Sequence, residues 1–522
     1  MNKFILLLAI SALTVFPSCT GAPSADGGRV KVEGNKFIGP DGKELVFRGL
    51  CFSDPVKLVR EGQWNERYFA EAAGWGANVV RFAVHPSNLN SMGWDETFEA
   101  MDKGVAWAKQ YGMYVIMDWH SIGNLKDELY TSPMYNTTRE ETFKFWRTVA
   151  ERYKDEPTVA LYELFNEPTV TAPGVGSCTW TEWKELQEEI IDTVRTYNPA
   201  AVCLCAGFNW AYDLTPVATE PIDRPNIAYV SHPYPMKRSE PWEERWEKDF
   251  GFVADTYPVI CTEIGYCLAD EPGAHIPVMS TDVYGEHITR YFEQKGISFT
   301  VWCFDTSWAP MLISDWDFTP TTQGRFFKAY LQGKETLQTG DLLFVGPDAD
   351  GQGAMDEAIA AATGDLTHVA IVEVDATGNQ WVIDATPRRG VCRYPLDTLV
   401  SDHPGATFLV RRLRDTSGVS ASVGNARRFI GEPYDLTFLP DNDAFYCSEL
   451  VHEAYRRADG SPVFEAKPMN FLAPDGSMPA YWASLFERLG MPVPQGVPGT
   501  NPQDMSLSPA LQAVPGIKFN VF

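Results

Sequence analysis

The chain is poor in metal-holding residues and in positive charge. Its 522 residues include only 8 His and 10 Cys. No Cys-x-x-Cys pair occurs, so the spacing of a structural zinc site is missing. Cys51, Cys178, Cys203, Cys205, Cys261, Cys267, Cys303 and Cys392 are scattered, several inside apolar runs where a thiol acts as a small buried hydrophobe. Oxidation of one or two pairs in an exported chain stays open. Lys and Arg total 43 against 69 Asp and Glu, and the resulting charge of −26 repels phosphate backbones, which argues against nucleic acid as a partner. No segment reaches the ~20 apolar residues of a membrane span. Repeats and low-complexity tracts are also missing. What is there is an ordinary folding composition, 44% hydrophobic and 21% charged, long enough for two or three domains. The 16 Trp and 21 Tyr serve as core material or as sugar-stacking surface.

The first nineteen residues stand apart from the fold. Lys3 precedes an apolar run over 4–16, which ends at Pro17-Ser18-Cys19 and is followed by small residues. This resembles a bacterial lipoprotein signal, which implies a lipid on Cys19 and attachment to the cell envelope. Plain secretion with cleavage near Ala22 is the alternative.

From 29 to 331, β-branched runs alternate with helical patterns. Strands are expected over 77–84, 114–118, 160–165, 201–206, 227–231, 259–263 and 298–304, and helices over 142–153, 180–197 and 284–295. Strands buried on both faces and separated by helices imply a parallel sheet, and about eight such units make an α/β fold of the (β/α)₈ TIM-barrel type. Polar residues recur after the strands (Arg81, His85, His120, Asn166, Glu167, His232, Tyr234, Glu263, Trp302) and converge on the face where barrels carry their sites. A polar break at 332–336 follows. A second pattern over 338–515 has closely spaced strands at 368–374, 380–384 and 407–413, with helices over 355–362 and 447–457, an α+β layout. The Pro- and Gly-rich tail from 491 is expected to wrap the surface.

Glu167 and Glu263 end apolar strands three apart in the barrel. Glycoside hydrolysis needs two carboxyl groups, one protonating the leaving oxygen and one ionised to attack the anomeric carbon. Seven stretches fall in a family's order: Phe47-Arg48-Gly49, Asn78-Val79-Val80-Arg81-Phe82, Asp118-Trp119-His120, Asn166-Glu167-Pro168, His232-Pro233-Tyr234, Thr262-Glu263-Ile264-Gly265 and Trp302. The region resembles glycoside hydrolase family 5, the cellulase-like barrels. The resemblance implies Glu167 as acid/base and Glu263 as nucleophile of a retaining mechanism. It also implies Asn166 on the sugar 2-hydroxyl, Tyr234 and Arg81 on the nucleophile, His120 and His232 beside the cleavage point, and Trp302 as a stacking platform. His85, Asn209 and Trp210 are further candidates for the cleft. Trp75, Trp94, Trp210 and Trp302 could stack on pyranose rings, with Trp75 reading rather as core. A β-1,4-glucan is the family's commonest target, with mannan or mixed-linkage glucan as alternatives. No cofactor and no metal is called for.

In the second region Cys447 opens an apolar helix, whose N-terminus favours a thiolate. His368 on a strand could take the proton and Asp384 could orient it, provided that a three-residue loop sets His368 directly opposite Asp384. Gly340-Asp341-Leu342, His368-Val369-Ala370-Ile371, Gly431-Glu432-Pro433-Tyr434-Asp435 and Tyr446-Cys447-Ser448-Glu449-Leu450 resemble the permuted papain-like amidases related to NlpC-type peptidases. That implies Cys447 as nucleophile, His368 as base and Asp384 as orienting residue.

The expectation is therefore an exported, lipid-anchored enzyme joining an endo-acting β-glycosidase to a cysteine amidase. The rival readings are a carbohydrate-binding envelope protein whose barrel no longer turns over, a degenerate second domain, or a main activity in the second domain.

Overall fold

The structure is a computed structural model that describes residues 28–333, 336–346, 353–375, 378–457, 459–517 and 519. The signal segment and Cys19 lie outside the described residues.

Eight parallel strands close into a barrel in chain order: β1 (Arg48–Phe52), β2 (Val79–Val84), β3 (Tyr114–Trp119), β4 (Val159–Glu163), β5 (Val202–Ala206), β6 (Ile227–Val230), β7 (Val259–Ile264) and β8 (Ser298–Val301). Seven of these match the expected runs to within a few residues. The eighth, β1, has no β-branched residue, so propensity alone does not mark it. Gly49 explains how it fits. A Cβ there would stand 1.8 Å from the Val79 carbonyl oxygen of β2, so the closing strand needs glycine. Gly49→Ala is expected to destabilise the barrel by on the order of 3 kcal/mol, seen as a lower denaturation midpoint; wild-type stability would contradict this closure.

Along β2, Val80, Phe82 and Val84 pack outward under the helices while Val79 faces the inner core, so alternation turns Arg81 inward. In β3, Tyr114 and Ile116 face the same inner core, which brings Asp118 inside. Two register shifts complete the layer. One extra residue in β4 falls between the pairs Val115↔Val159 and Ile116↔Leu161, leaving Leu161 and Glu163 inward. Another in β7 falls between Cys261↔Phe299 and Ile264↔Val301, so Thr262 and Glu263 both reach the interior although they are neighbours. Bulges beside active sites re-aim side chains in this way. The opposite mouth is plugged by the hairpin Lys31–Glu33/Lys36–Ile38, where Phe37 and Phe47 meet at 5.1 Å.

The second domain is a six-stranded antiparallel sheet: β9 (Leu342–Val345), β10 (His368–Val374), β11 (Gln380–Thr386), β12 (Gly390–Pro395), β13 (Phe408–Leu413) and β14 (Leu511–Ala513), in the order β12-β11-β10-β9-β13-β14. The helix Cys447–Ala454 buries Leu450, Val451 and Ala454 against Val369, Ile371 and Ile383. Two expectations are corrected. The tail does not simply wrap the surface, because β14 returns to pair with β13 and buries Leu511. The β10–β11 turn spans five residues, since Val374 pairs with Gln380, so Asp384 is opposite Ala370, diagonal to His368 rather than directly across from it. Five and three are both odd, so the two side chains still share a face. The domains touch where Asp282 and Glu286, on the helix Asp282–Lys295 after β7, meet the Ala513 amide (3.0 Å) and the buried Arg411 guanidinium.

Candidate active site

Arg81 is the hub of the barrel's upper layer. It is wholly buried and offers five N–H donors. Nε and Nη2 clamp Glu163 at 2.7 and 2.9 Å, Nη1 donates to Glu263 Oε1 at 2.9 Å, and Nη2 also reaches Asn166 Oδ1 at 2.6 Å and Asp118 Oδ2 at 3.0 Å. On its other side Glu263 accepts from Tyr234 Oη at 2.9 Å.

Glu167 is not on β4, which ends at Glu163. It lies four residues on, in a short extension held by Asn166 N to Trp119 O (3.1 Å) and Glu167 N to Ser121 O (3.1 Å). That detour carries Glu167 over the barrel mouth. One oxygen each of Glu167 and Glu263, and a nitrogen of His232, lie within 4.8 Å of one another. Both carboxylates are less than a tenth exposed.

His232 joins them. Its Nδ1 is 3.0 Å from Glu167 Oε1 and 3.8 Å from Glu263 Oε2. Its Nε2 is 2.9 Å from Thr262 Oγ1, and that hydroxyl donates to Glu163 Oε1 at 2.8 Å, so Nε2 must be the donor to Thr262. Burial resists charge on this ring, but Glu263, Glu163 and Glu167 outweigh it and push it up to about 9. The donor set of Glu167, His232 and Glu263 could embrace a cation. With His232 protonated, however, an imidazolium already stands between the two acids. Burial also raises the Glu263 carboxyl, against the pull of His232 and Arg81, so its charge depends on both cations. Burial opposes ionisation of Glu163 too, yet Arg81 and His232 bring it below the ordinary value.

His120 is held neutral, its proton affinity lowered by burial and by His85 and Arg81 nearby. Its Nδ1 meets Asp118 Oδ2 at 2.6 Å. Trp302 is nearly buried, lying parallel to His120 (5.3 Å) and to Trp308 (6.0 Å), and Trp308 is the more open ring. His85 lies tilted against His120, ring centres 4.3 Å apart, and is fixed by Asp54. Asn209 and Trp210 adopt left-handed φ of 58° and 55°, next to Ala211, whose carbonyl accepts from His232 N (3.1 Å). Lys237 pins this segment, donating to Asn209 O at 2.8 Å with its ammonium 5.0 Å from the Trp210 ring. Trp75 is core, and the Trp94 ring is covered by Lys144. The amide nitrogen of Asn166 is buried without a partner among the described residues, a donor left for a ligand.

Asp118, Glu163, Thr262 and Trp308 were not anticipated. The first three carry a signal, an inward position on an alternating strand, but the bulges disguise it for Glu163 and Thr262. Trp308 carries none.

In the second domain His368 Nε2 is 2.9 Å from Asp384 Oδ1, although not in line with the ring N–H. Tyr394 Oη donates to Asp384 Oδ2 at 2.5 Å. The Cys447 thiol, 5% exposed, sits beside the same imidazole. Burial disfavours a charged His368, but Asp384 and Cys447 overcome this and raise it well above its ordinary value, while His368 in turn lowers Asp384 against its own burial. The three expected residues are thus together. All nine cysteines among the described residues are free thiols, and all but Cys392 are buried.

Comparison with known proteins gives two family matches. Residues 40–307 match cellulase (glycosyl hydrolase family 5), and residues 336–515 match the permuted papain-like amidase enzyme family, YaeF/YiiX, C92. A crystallised β-glucanase from Saccharophagus degradans, in complex with cellotetraose, is 44% identical, with a TM-score of 0.58 over 61% of this chain and 97% of that one. Endoglucanase A of Butyrivibrio fibrisolvens is 27% identical over 53% of this chain and 60% of its own length. An endoglucanase of Paenibacillus polymyxa is 24% identical over 56% of this chain and 85% of its own. The chain belongs to glycosyl hydrolase family 5 through its barrel, followed by a permuted papain-like amidase domain of the C92 family.

Proposed function

We propose that the protein is a retaining, endo-acting β-glycosidase of β-glucan chains that carries a second, cysteine amidase centre. The observation that carries the first part is the closeness of the Glu167 and Glu263 oxygens, within 4.8 Å. Retaining pairs lie about 5–5.5 Å apart, whereas inverting pairs stand about 6.5–9.5 Å apart to admit a water. In this reading Glu263, gripped by Arg81 and Tyr234, attacks the anomeric carbon while Glu167 protonates the leaving oxygen. His232, protonated and 3.0 Å from Glu167, supplies that proton. Water deprotonated by Glu167 then releases the sugar. Asn166 Nδ2 meets the 2-hydroxyl, and the His120–Trp302–Trp308 stack lines the neighbouring subsite. A β-1,4-glucan substrate and internal cleavage are supported by the cellotetraose complex of the 44% identical β-glucanase and by the endoglucanase relatives.

The second centre is proposed to cleave an amide with Cys447 as nucleophile, His368 as base and Asp384 as its orienting partner. Export with a lipid on Cys19, attaching the enzyme to the cell envelope, completes the proposal; it rests on the apolar run over 4–16 and the cysteine that follows. A reducing-end assay on soluble β-glucans, mannans and xylans tests the substrate. β-1,4-linked glucan is expected to be cut fastest, and a preference for mannan would overturn that assignment.

A further inference from the structure

Beside the Cys447 thiol lies a cavity of about 60 Å³ with no charged residue in its wall among the described residues. Ile359, Phe438, Met469, Phe471 and Trp482 form much of it. Several of the polar atoms at its edge are committed to the protein. Trp482 Nε1 donates to Ala358 O (3.3 Å), Tyr446 Oη accepts from Thr500 N (3.1 Å), Thr500 Oγ1 bonds Ser448 Oγ (3.1 Å), and Asn470 Nδ2 donates to Ala362 O (3.0 Å). A polar or charged group entering here would lose its water and find little in return. The volume is well below the ~150 Å³ that holds a benzene ring, so the group held inside it is small.

We infer that the group transferred to Cys447 is a short aliphatic acyl group, seated in this cavity, and not a polar peptide or sugar acid. The inference rests on the cysteine-hydrolase reading of the second domain and names its substrate class. In the reaction Cys447 Sγ bonds the carbonyl carbon as the C–N bond breaks, and the thiol proton passes through His368 to the leaving amine. Water then gives a proton to His368, its oxygen bonds the carbonyl carbon, and the S–C bond breaks to free the acid and restore the thiol. No further reactant is needed.

The test uses the full chain and p-nitrophenyl esters as activated substitutes: acetate, propionate, butyrate and methoxyacetate, the last a polar match for butyrate in size. Each added CH₂ up to butyrate should raise kcat/KM roughly fourfold, and methoxyacetate should fall about tenfold below butyrate. Ile359→Trp, which fills the cavity, should reverse the order and favour acetate. Alkylation by iodoacetamide at neutral pH, mapped to Cys447 and lost with ester turnover in Cys447→Ser, tests the reading beneath. If Cys447 is alkylated and turns over esters but chain length and polarity make no difference, the acyl assignment is overturned while the cysteine hydrolase stands. Without labelling or turnover dependent on Cys447, both fall.

Discussion

Glu263→Ala is expected to lower release of reducing ends from soluble β-glucan by on the order of 10⁴-fold or more, because the group that bonds the anomeric carbon is gone. The fold should survive. Glu263 is a buried acid whose proton affinity is already raised by its surroundings, and its loss leaves Arg81 paired with Glu163 and Asp118. The denaturation midpoint is therefore expected to stay level or rise, which separates loss of chemistry from loss of structure. Azide, small enough for the vacated space, should restore part of the rate on an aryl glycoside with a good leaving group. Unchanged activity would remove Glu263 from the nucleophile's place.

Arg81→Met should do the reverse, harming structure and chemistry together. Glu163, Asp118 and Glu263 all approach this one guanidinium inside the barrel. Removing this shared cation leaves Glu163 and Glu263 with His232 alone to offset their burial, a loss of about 3–5 kcal/mol. Arg81→Lys should recover little, because an ammonium cannot offer the fork that holds both oxygens of Glu163 while also reaching Glu263 and Asn166. Adding Glu163→Gln to Arg81→Met should return part of the stability, since the two residues form one network and their effects will not add. The residual activity of Arg81→Met should need a higher pH, because Glu263 loses one of the two cations that oppose its protonation. Measured denaturation curves and pH profiles of kcat/KM check these outcomes. Wild-type stability in Arg81→Met would mean that the three acids do not depend on it.

Most of the architecture could be read from the order of residues, because buried parallel strands announce themselves as β-branched runs. The strand β1 escaped, having no β-branched residue and being built around Gly49, whose role is set by the Val79 carbonyl that approaches it. Arg81 and His232 could be read as site residues. The relay from Arg81 through Glu163 and Thr262 to His232 could not, because it depends on bulges in β4 and β7, and an extra residue in a strand has no signature of its own in a single sequence. In the second domain the parity of the β10–β11 turn was enough to bring His368 and Asp384 to one face, although the length assumed for the turn was two residues too short. The cavity beside Cys447 is gathered from segments far apart in the chain, so no local motif reveals it.

The stereochemistry of the first product tests the two-glutamate account most directly. Proton NMR of a β-glucan oligosaccharide during the first minutes of hydrolysis distinguishes the anomers before they equilibrate. With Glu167 and Glu263 as close as they are, the new reducing end must appear first as the β-anomer. An initial α-anomer would require a water between the two acids, and would contradict a covalent intermediate on Glu263.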